Sequence, residues 1–456
     1  MAISPLRAQR PPTAAVTAAR TPQRRENRVT SGLVKVLYWL LIARLIIPGS
    51  FDYDPNTDIV AVAQRDAVFN KLTWITFLLL PLALIASRSA ATMRVLRGTT
   101  GYFLALVAVA AVSVLWSVDS GATASRVTHL FAILFTCLAV TVVGWNPARL
   151  QEITRPVLTV LLIGSLIFGL YAPDLAITPP TPPDVTGYWH GLTSQKNQLG
   201  SLASIGVLLW VHGWAARQVG FIPALVGAGV SGYLLLLSRS STALMATVLC
   251  AMLMLMMLRS LPSYLRRYLP YLIGFFVVVT LAYSLAVLKV IPGSEILLKP
   301  IAIITGKDTT FTARTQIWEI IRAHIQLSPF IGTGYGGYWT APVPSSPSYA
   351  FVQIMNFYPT EAHNGYLDII NDLGYIGLLL LLGYLIGYIR QSLALLRVNY
   401  AQATFYLALM FQQLLTNLSE SHWFILSHDF VILTFATFGL ARTLADAAPV
   451  RRRKPI

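Results

Sequence analysis

The chain has 456 residues, 55% of them hydrophobic and only 11% charged, with a mean hydropathy of +0.63. Soluble domains carry about 25% charged residues, so this composition excludes a string of soluble domains and indicates a polytopic membrane protein. The net charge of +16 does not indicate a nucleic-acid binder, because the basic residues are confined to alternate connections between apolar runs.

Taken in chain order, residues 1–30 are rich in Arg, Ala and Pro and contain no apolar stretch, which fits a disordered basic cytoplasmic tail rather than a secretory signal. Apolar runs of the roughly 17–25 residues needed to cross a hydrocarbon core then follow. They predict about twelve spans, near 31–48, 71–88, 100–117, 127–144, 155–171, 197–213, 220–237, 240–258, 268–289, 365–388, 400–417 and 422–443. The even-numbered connections hold Arg88, Arg94 and Arg97, then Arg149 and Arg155, Arg217, Arg259, Arg266 and Arg267, and finally Arg390 and Arg397. The first odd-numbered connection holds Asp52, Asp54, Asp58 and Asp66 against Arg65. This alternation predicts both termini in the cytoplasm.

The chain is accordingly expected to divide into spans one to nine over 31–289, one large polar loop over 290–363 on the far side, three further spans over 364–443, and a basic cytoplasmic tail over 444–456. No internal repeat is visible, which argues against a transporter built from repeated halves. Cys137 and Cys250 both fall inside apolar runs and suggest neither a disulfide nor a metal site.

Polar residues collect at the outer ends of the runs. Arg126 stands at the outer end of the fourth, after Trp116-Ser117-Val118-Asp119. Between the fifth and sixth, the stiff cluster Pro179-Pro180-Thr181-Pro182-Pro183 leads to Tyr188 and Trp189, and Lys196-Asn197 open the sixth. Arg239 occupies a turn too short for an ordinary loop, where a charge is either functional or snorkelling.

Within the long loop, 312–326 reads as an amphipathic surface helix with Ile317, Trp318, Ile320, Ile321 and Ile325 as its apolar stripe. Arg314 and Trp318 are four apart and share a face. The plainer alternative makes Trp318 an interface anchor and Arg314 a solvated charge. The run Gly332-Thr333-Gly334-Tyr335-Gly336-Gly337 would let backbone N–H groups approach an anion. His363, at the mouth of the next apolar helix, is expected to be neutral, because the positive end of the helix dipole opposes its protonation. A neutral imidazole suits a general base, although a capping or interface histidine would occupy the same place. No His-Glu-x-x-His or similar spacing appears, so no metal is expected. Several cations with one candidate base suggest a diphosphate held by Arg and Lys.

At this point the residues resemble the O-antigen ligase and polysaccharide polymerase superfamily of bacterial inner membranes, within it the exopolysaccharide repeat-unit polymerase branch. The resemblance rests on His363-Asn364-Gly365-Tyr366-Leu367 with Asp372, Gly374 and Gly377, and on Arg314-x-x-x-Trp318 followed by Pro329, Gly332, Gly334 and Gly336. It rests also on Ser238-Arg239-Ser240, Lys196-Asn197-x-Leu199-Gly200 and Trp116-x-x-Asp119, in that order along about residues 100 to 440.

The resemblance implies an all-α helical bundle of GT-C-like glycosyltransferase architecture. It implies inverting glycosyl transfer, without metal or cofactor, from an undecaprenyl-diphosphate-linked oligosaccharide donor to a lipid-linked acceptor on the periplasmic face. Catalytic roles would fall to His363, Arg314 and Arg239, and substrate binding to Lys196, Asn197, Trp318, Asn364, Tyr366 and Arg126. The implied partners are the lipid-linked substrates, membrane lipids, and a chain-length regulator with an export complex, with no nucleic acid. This sequence departs from the family pattern at Gln195, where relatives often show His, and at Asp372, where they often show Glu. A ligase acting on lipid A–core, a flippase and a structural export subunit are the competing readings.

Overall fold

The structure, a computed structural model, describes residues 22–48, 67–178, 187–260, 312–340, 343–355 and 358–447, together with Tyr268, Tyr271 and Phe275. The helices are α1 (Pro22–Ile46), α2 (Ala67–Ala86), α3 (Ser89–Gly98), α4 (Gly101–Val112), α5 (Ser120–Val142), α6 (Arg149–Tyr171), α7 (Lys196–Ala215), α8 (Phe221–Leu237) and α9 (Ser241–Leu255). They continue with α10 (Thr312–Ile325), α11 (Ala350–Met355), α12 (Gly365–Leu395), α13 (Tyr400–Thr416) and α14 (His428–Ala447). The strand structure among the described residues is one two-residue antiparallel pair, Ile177–Thr178 against Tyr188–Trp189. The fold is all-α and belongs to a multi-pass membrane protein.

Helices occupy eleven of the twelve expected spans, and the ninth (268–289) lies outside the described residues apart from Tyr268, Tyr271 and Phe275. Six of the described helices are long and apolar enough to cross a membrane, or seven if the pair α2–α3, bent by 101°, counts as one span. The shortfall from twelve has physical causes. Gly101–Leu115 and Phe221–Leu237 are apolar but short. The helices α7 and α13 carry buried polar residues (Ser201, Ser204 and His212; Gln402, Gln412 and Gln413) that lower their hydropathy while facing the interior.

Two corrections concern span boundaries. The helix α12 is broken at Gly374, whose backbone is left-handed (φ 66°, ψ −168°). There the amides of Tyr375 and Ile376 leave the helical ladder and donate to Pro329 O and Phe330 O at 2.8 and 3.1 Å. A Cβ on Gly374 would stand 2.2 Å from the Phe330 carbonyl carbon, so only glycine fits this crossing. The expected span at 365–388 is therefore a short segment, 365–373, followed by a membrane-length helix after the break. The last expected span, 422–443, begins late: 417–427 is a buried non-helical turn, and α14 starts at His428.

The interior divides in two. One core runs through the bundle, from Tyr38 and Leu41 on α1 to Phe435 and Leu440 on α14. A second, smaller core lies at one end, where Ile317, Trp318, Ile321 and Ile325 of α10 pack with Tyr338, Trp339, Phe351, Ala362 and Leu367. The apolar stripe read from the sequence is thus the face that builds this outer core, with Ile320 packed partly buried at its edge. The opposite end holds basic residues, among them Arg94, bridged to Asp446 at 3.5 Å near the end of α14.

Candidate functional site

The outer core positions the site through α10. Trp318 points inward, 3% exposed, and its indole N–H donates to Ala362 O at 3.0 Å. Arg314, one turn earlier on the same helix, reaches past the core and places Nη2 2.6 Å from Glu420 Oε1. The second anchor is Asp368 in the first turn of α12. It accepts from the Trp339 indole N–H at 2.8 Å, from the Ala362 amide, and from the Ser421 hydroxyl in a short contact. One buried carboxylate therefore ties together the loop core, the residue before His363 and the residue after Glu420.

The turn 417–427 is held just as firmly. Asn417 Oδ1 accepts from the amides of His422 and Trp423 at 2.8 and 3.0 Å. The amide of Gly365 donates to Asn417 O and Glu420 O at 3.0 and 3.1 Å. A Cβ on Gly365 would lie 2.1 Å from Asn417 Oδ1, so this approach also demands glycine. His363 then sits in the left-handed region (φ 49°), and Arg239 shares that conformation (φ 52°). For non-glycine residues this is sparsely populated backbone that surrounding structure must impose, and such strain concentrates at functional sites.

The outcome is a cluster around Glu420. Its Oε1 takes Arg314 and, at 2.6 Å, the amide N–H of the Asn197 side chain at the start of α7. Its Oε2 lies 3.3 Å from His363 Nδ1, and Glu361 Oε1 approaches the same nitrogen at 3.2 Å. Burial opposes charge on the Glu420 carboxyl, but Arg314, His363 and His422 outweigh it and hold the group below the usual glutamate range. Burial likewise opposes charge on His363, and is outweighed by the hydrogen bonds and charges of Glu361 and Glu420, which push it up to about 10. This overturns the expected neutral imidazole. Two carboxylates within 3.3 Å of Nδ1 are a stronger field than a helix dipole. At neutral pH His363 is an imidazolium whose Nδ1 edge is taken and whose Nε2 edge makes no hydrogen bond among the described residues.

Other expected site residues have been drawn into the scaffold. Asn364 is fully buried and caps α12, accepting from the amides of Tyr366 and Leu367. Tyr366 is buried, donates to Leu414 O at 3.3 Å and meets the Trp423 ring edge-on. Trp318 acts through Ala362. These three, expected to touch substrate, are buried and hydrogen-bonded within the protein around His363. Arg126 donates to Trp339 O at 3.2 Å and secures the outer core. Lys196 stands over the Tyr188 ring at 3.5 Å, one residue from Asn197. The Ser238-Arg239-Ser240 turn packs on α7 at Gly200, where a Cβ would meet Ser240 Cβ at 2.6 Å, so Arg239 lies at the same end as Asn197 and Lys196.

The glycine run is also corrected: it is not an anion cradle. Its amides are all committed within the protein. Gly332 N donates to Ser328 O, Thr333 N to Asn371 O, Gly334 N to Asp372 O and Gly337 N to Gly334 O. Tyr335 N donates to Ser113 Oγ, and Gly336 N to Asp372 Oδ2 at 2.7 Å. The positive φ of Gly332, Gly334 and Gly336 lets this loop lie directly on the end of the short α12 segment and on Ser117. The Trp116–Asp119 motif belongs to the same lock, with Trp116 Nε1 on Ile331 O and Val118 N on Thr333 O.

Glu361, His363 and Glu420 are the one trio among the described residues whose ligand atoms lie within 4.8 Å of one another. Arg314, Asn197 and the imidazolium already neutralise and hydrogen-bond these carboxylates, and that donor set favours cations of the protein itself over a metal ion.

Residues 224–382, which include Arg239, Arg314 and His363, match the family described as O-Antigen ligase. The chain is 29% identical over 233 residues to the exopolysaccharide production protein ExoQ of Rhizobium meliloti (strain 1021). Both matches support a place in the O-antigen ligase-like superfamily, near the exopolysaccharide branch. The match spans about half of each chain, 49% of this one and 49% of that relative. Glu420, the centre of the cluster, lies outside the family segment 224–382.

Proposed function

We propose that this protein is a membrane glycosyltransferase that polymerises undecaprenyl-diphosphate-linked repeat units into an exopolysaccharide on the periplasmic face, by inverting transfer that needs no metal. The observation that carries the reading is the Arg314–Glu420–His363 cluster. It pairs a guanidinium fork and an imidazolium with a carboxylate at the end of the bundle where Arg239, Lys196 and Asn197 also stand. Such a cluster suits a diphosphate leaving group in the donor.

In the empty site Arg314 neutralises Glu420. A donor diphosphate offers the fork two phosphate oxygens and competes it away from the carboxylate. Losing its cation raises the basicity of Glu420 at the moment the donor is bound. The acceptor hydroxyl then attacks the donor sugar at C1 from the face opposite the diphosphate. Its proton passes to Glu420, while the C1–O bond electrons leave with the diphosphate, towards the charge of Arg314 and His363. Arg239 and Lys196 would hold the same diphosphate. In this scheme His363 supplies positive charge rather than the general base expected from the sequence.

A second reading, transfer of a finished glycan to lipid A–core, is favoured by the O-Antigen ligase description of the matched family. A glycan profile of a strain lacking the gene separates the two. The polymerase reading expects loss of long polymer, with single repeats persisting on the lipid carrier. Full-length polymer stranded on the carrier beside bare lipid A–core would replace it with the ligase, and unchanged glycans would remove both.

A further inference from the structure

Below Glu420 lies a second cluster of titratable side chains that the scheme above does not use. Asp429, fully buried in the first turn of α14, places Oδ2 3.1 Å from His428 Nε2 and 3.4 Å from His422 Nδ1. Its other oxygen accepts from Ser201 Oγ at 2.6 Å and Gln413 Nε2 at 2.7 Å. Neither histidine contact is aligned as a hydrogen bond. All four ring nitrogens and Asp429 Oδ2 are buried without a hydrogen-bond partner among the described residues. Buried polar atoms are normally paired, and a concentration of unpaired ones calls for an explanation.

The position is as informative as the composition. Asn197 and Ser201 are four apart on α7 and so lie on one face, about 6 Å apart along the axis. Asn197 holds Glu420 and Ser201 holds Asp429. His422 follows Glu420 by two residues in the same turn, and its ring contacts Asp429. Asp429 is therefore held one turn further along α7 than Glu420, and His422 and His428 both meet its Oδ2. The groups facing this column from its neighbours are neutral: Ser201 on α7, Gln412 and Gln413 on α13, and Asn417 in the turn.

A chelate is disfavoured, because these ligand atoms do not all fall within 4.8 Å of one another, whereas those of Glu361, His363 and Glu420 do. One carboxylate flanked by two imidazoles is instead a place to keep a proton. With Asp429 ionised, one proton shared between the rings leaves the buried cluster neutral, and it can reside on either ring.

We propose that His422, Asp429 and His428 form a proton relay behind Glu420 that receives the proton of the acceptor hydroxyl during glycosyl transfer. The inference rests on the glycosyltransferase reading and deepens it. The acceptor O–H bond breaks as its oxygen bonds to C1, and the C1–O bond electrons leave with the diphosphate. The proton moves from Glu420 to His422 and is held beside Asp429, and it returns to water when the product leaves and Arg314 closes again on Glu420. The three residues act through Glu420 and do not touch substrate.

The test uses isolated membranes carrying the full chain and its native lipid-linked repeats, with rates read across pH at matched protein level. Asp429→Asn keeps the shape and removes the charge. Its kcat should fall about tenfold or more with KM within about twofold. The acid limb of its pH–rate profile should move, because the carboxylate between the two rings has become neutral. His428→Gln should lower kcat with the same KM split. Ser201→Ala removes only a neutral contact and strands no charge, so it keeps the test decisive should Asp429→Asn fail to accumulate, with a smaller shift of the same limb expected. Wild-type kcat and an unmoved acid limb in the accumulating variants would overturn the relay while leaving glycosyl transfer intact. Wild-type membranes that extend no lipid-linked repeat would overturn the glycosyltransferase reading itself.

Discussion

Two segments build the site, and they differ in how openly they announce themselves. The stretch 312–363 belongs to a long polar insertion beside apolar helices, and its Arg314, Trp318 and His363 stand out because the insertion itself does. The turn 417–427 supplies Glu420, the group on which Arg314, Asn197 and His363 converge. Its polar core Ser419-Glu420-Ser421-His422 is four residues long and is followed at once by Trp423-Phe424-Ile425-Leu426. A hydropathy window of about 19 residues averages such a patch into the neighbouring span. A short acidic interruption between two apolar helices thus carries as much chemistry here as the long loop.

Glu420 is the side chain whose loss should cost the protein most. Glu420→Gln should strand Arg314 and leave His363 with Glu361 alone, costing about 3–5 kcal/mol of stability as expected for halving a buried ion pair. It should also lower the transfer rate by about a hundredfold or more. Thermal unfolding of the purified protein and initial rates in membranes check both. A stable, active Glu420→Gln variant would reduce the turn to a linker.

The helical character, most helix positions, the amphipathic helix and the His363-Asn364 helix start were legible, because periodicity and capping chemistry are local. What was not legible depended on pairing across the fold. The helix dipole argument for a neutral His363 was sound for an isolated helix and failed because Glu420 arrives from another segment, and the nearby Glu361 turns onto the same ring nitrogen. The glycine run looked like an anion site until its amides were found on Asn371, Asp372 and Ser113. The break at Gly374 is set by the Phe330 carbonyl and not by its own sequence neighbours.

His363→Gln tests the electrostatic half of the account. The folded His363 is raised from 6.5 to about 10. Its contribution to stability is therefore complete below about pH 6.5 and is lost as pH rises through about 10. The wild-type melting temperature should fall between these values more steeply than that of the variant, and parallel curves would contradict the pairing.

A smaller effect is expected in the lock between loop and broken helix. Gly374→Ala must place a Cβ against the Phe330 carbonyl at positive φ, and should destabilise the protein by about 1–3 kcal/mol. Reduced accumulation with near-normal activity per molecule is the expected pattern. The mildest change is Trp318→Phe, which keeps the packing and deletes the indole donor to Ala362. It should cost about 1 kcal/mol and a few-fold in rate by loosening His363, which initial rates and thermal melts would show.

In the proposed mechanism Arg314 leaves Glu420 to grip the donor diphosphate through both arms of its fork. The most direct test is the glycan profile of a strain whose chromosomal copy carries Arg314→Lys, at normal protein level. Lysine keeps the charge opposite Glu420 and loses the fork. The account predicts single repeats accumulating on the lipid carrier with long polymer lost; wild-type polymer from this variant would contradict it.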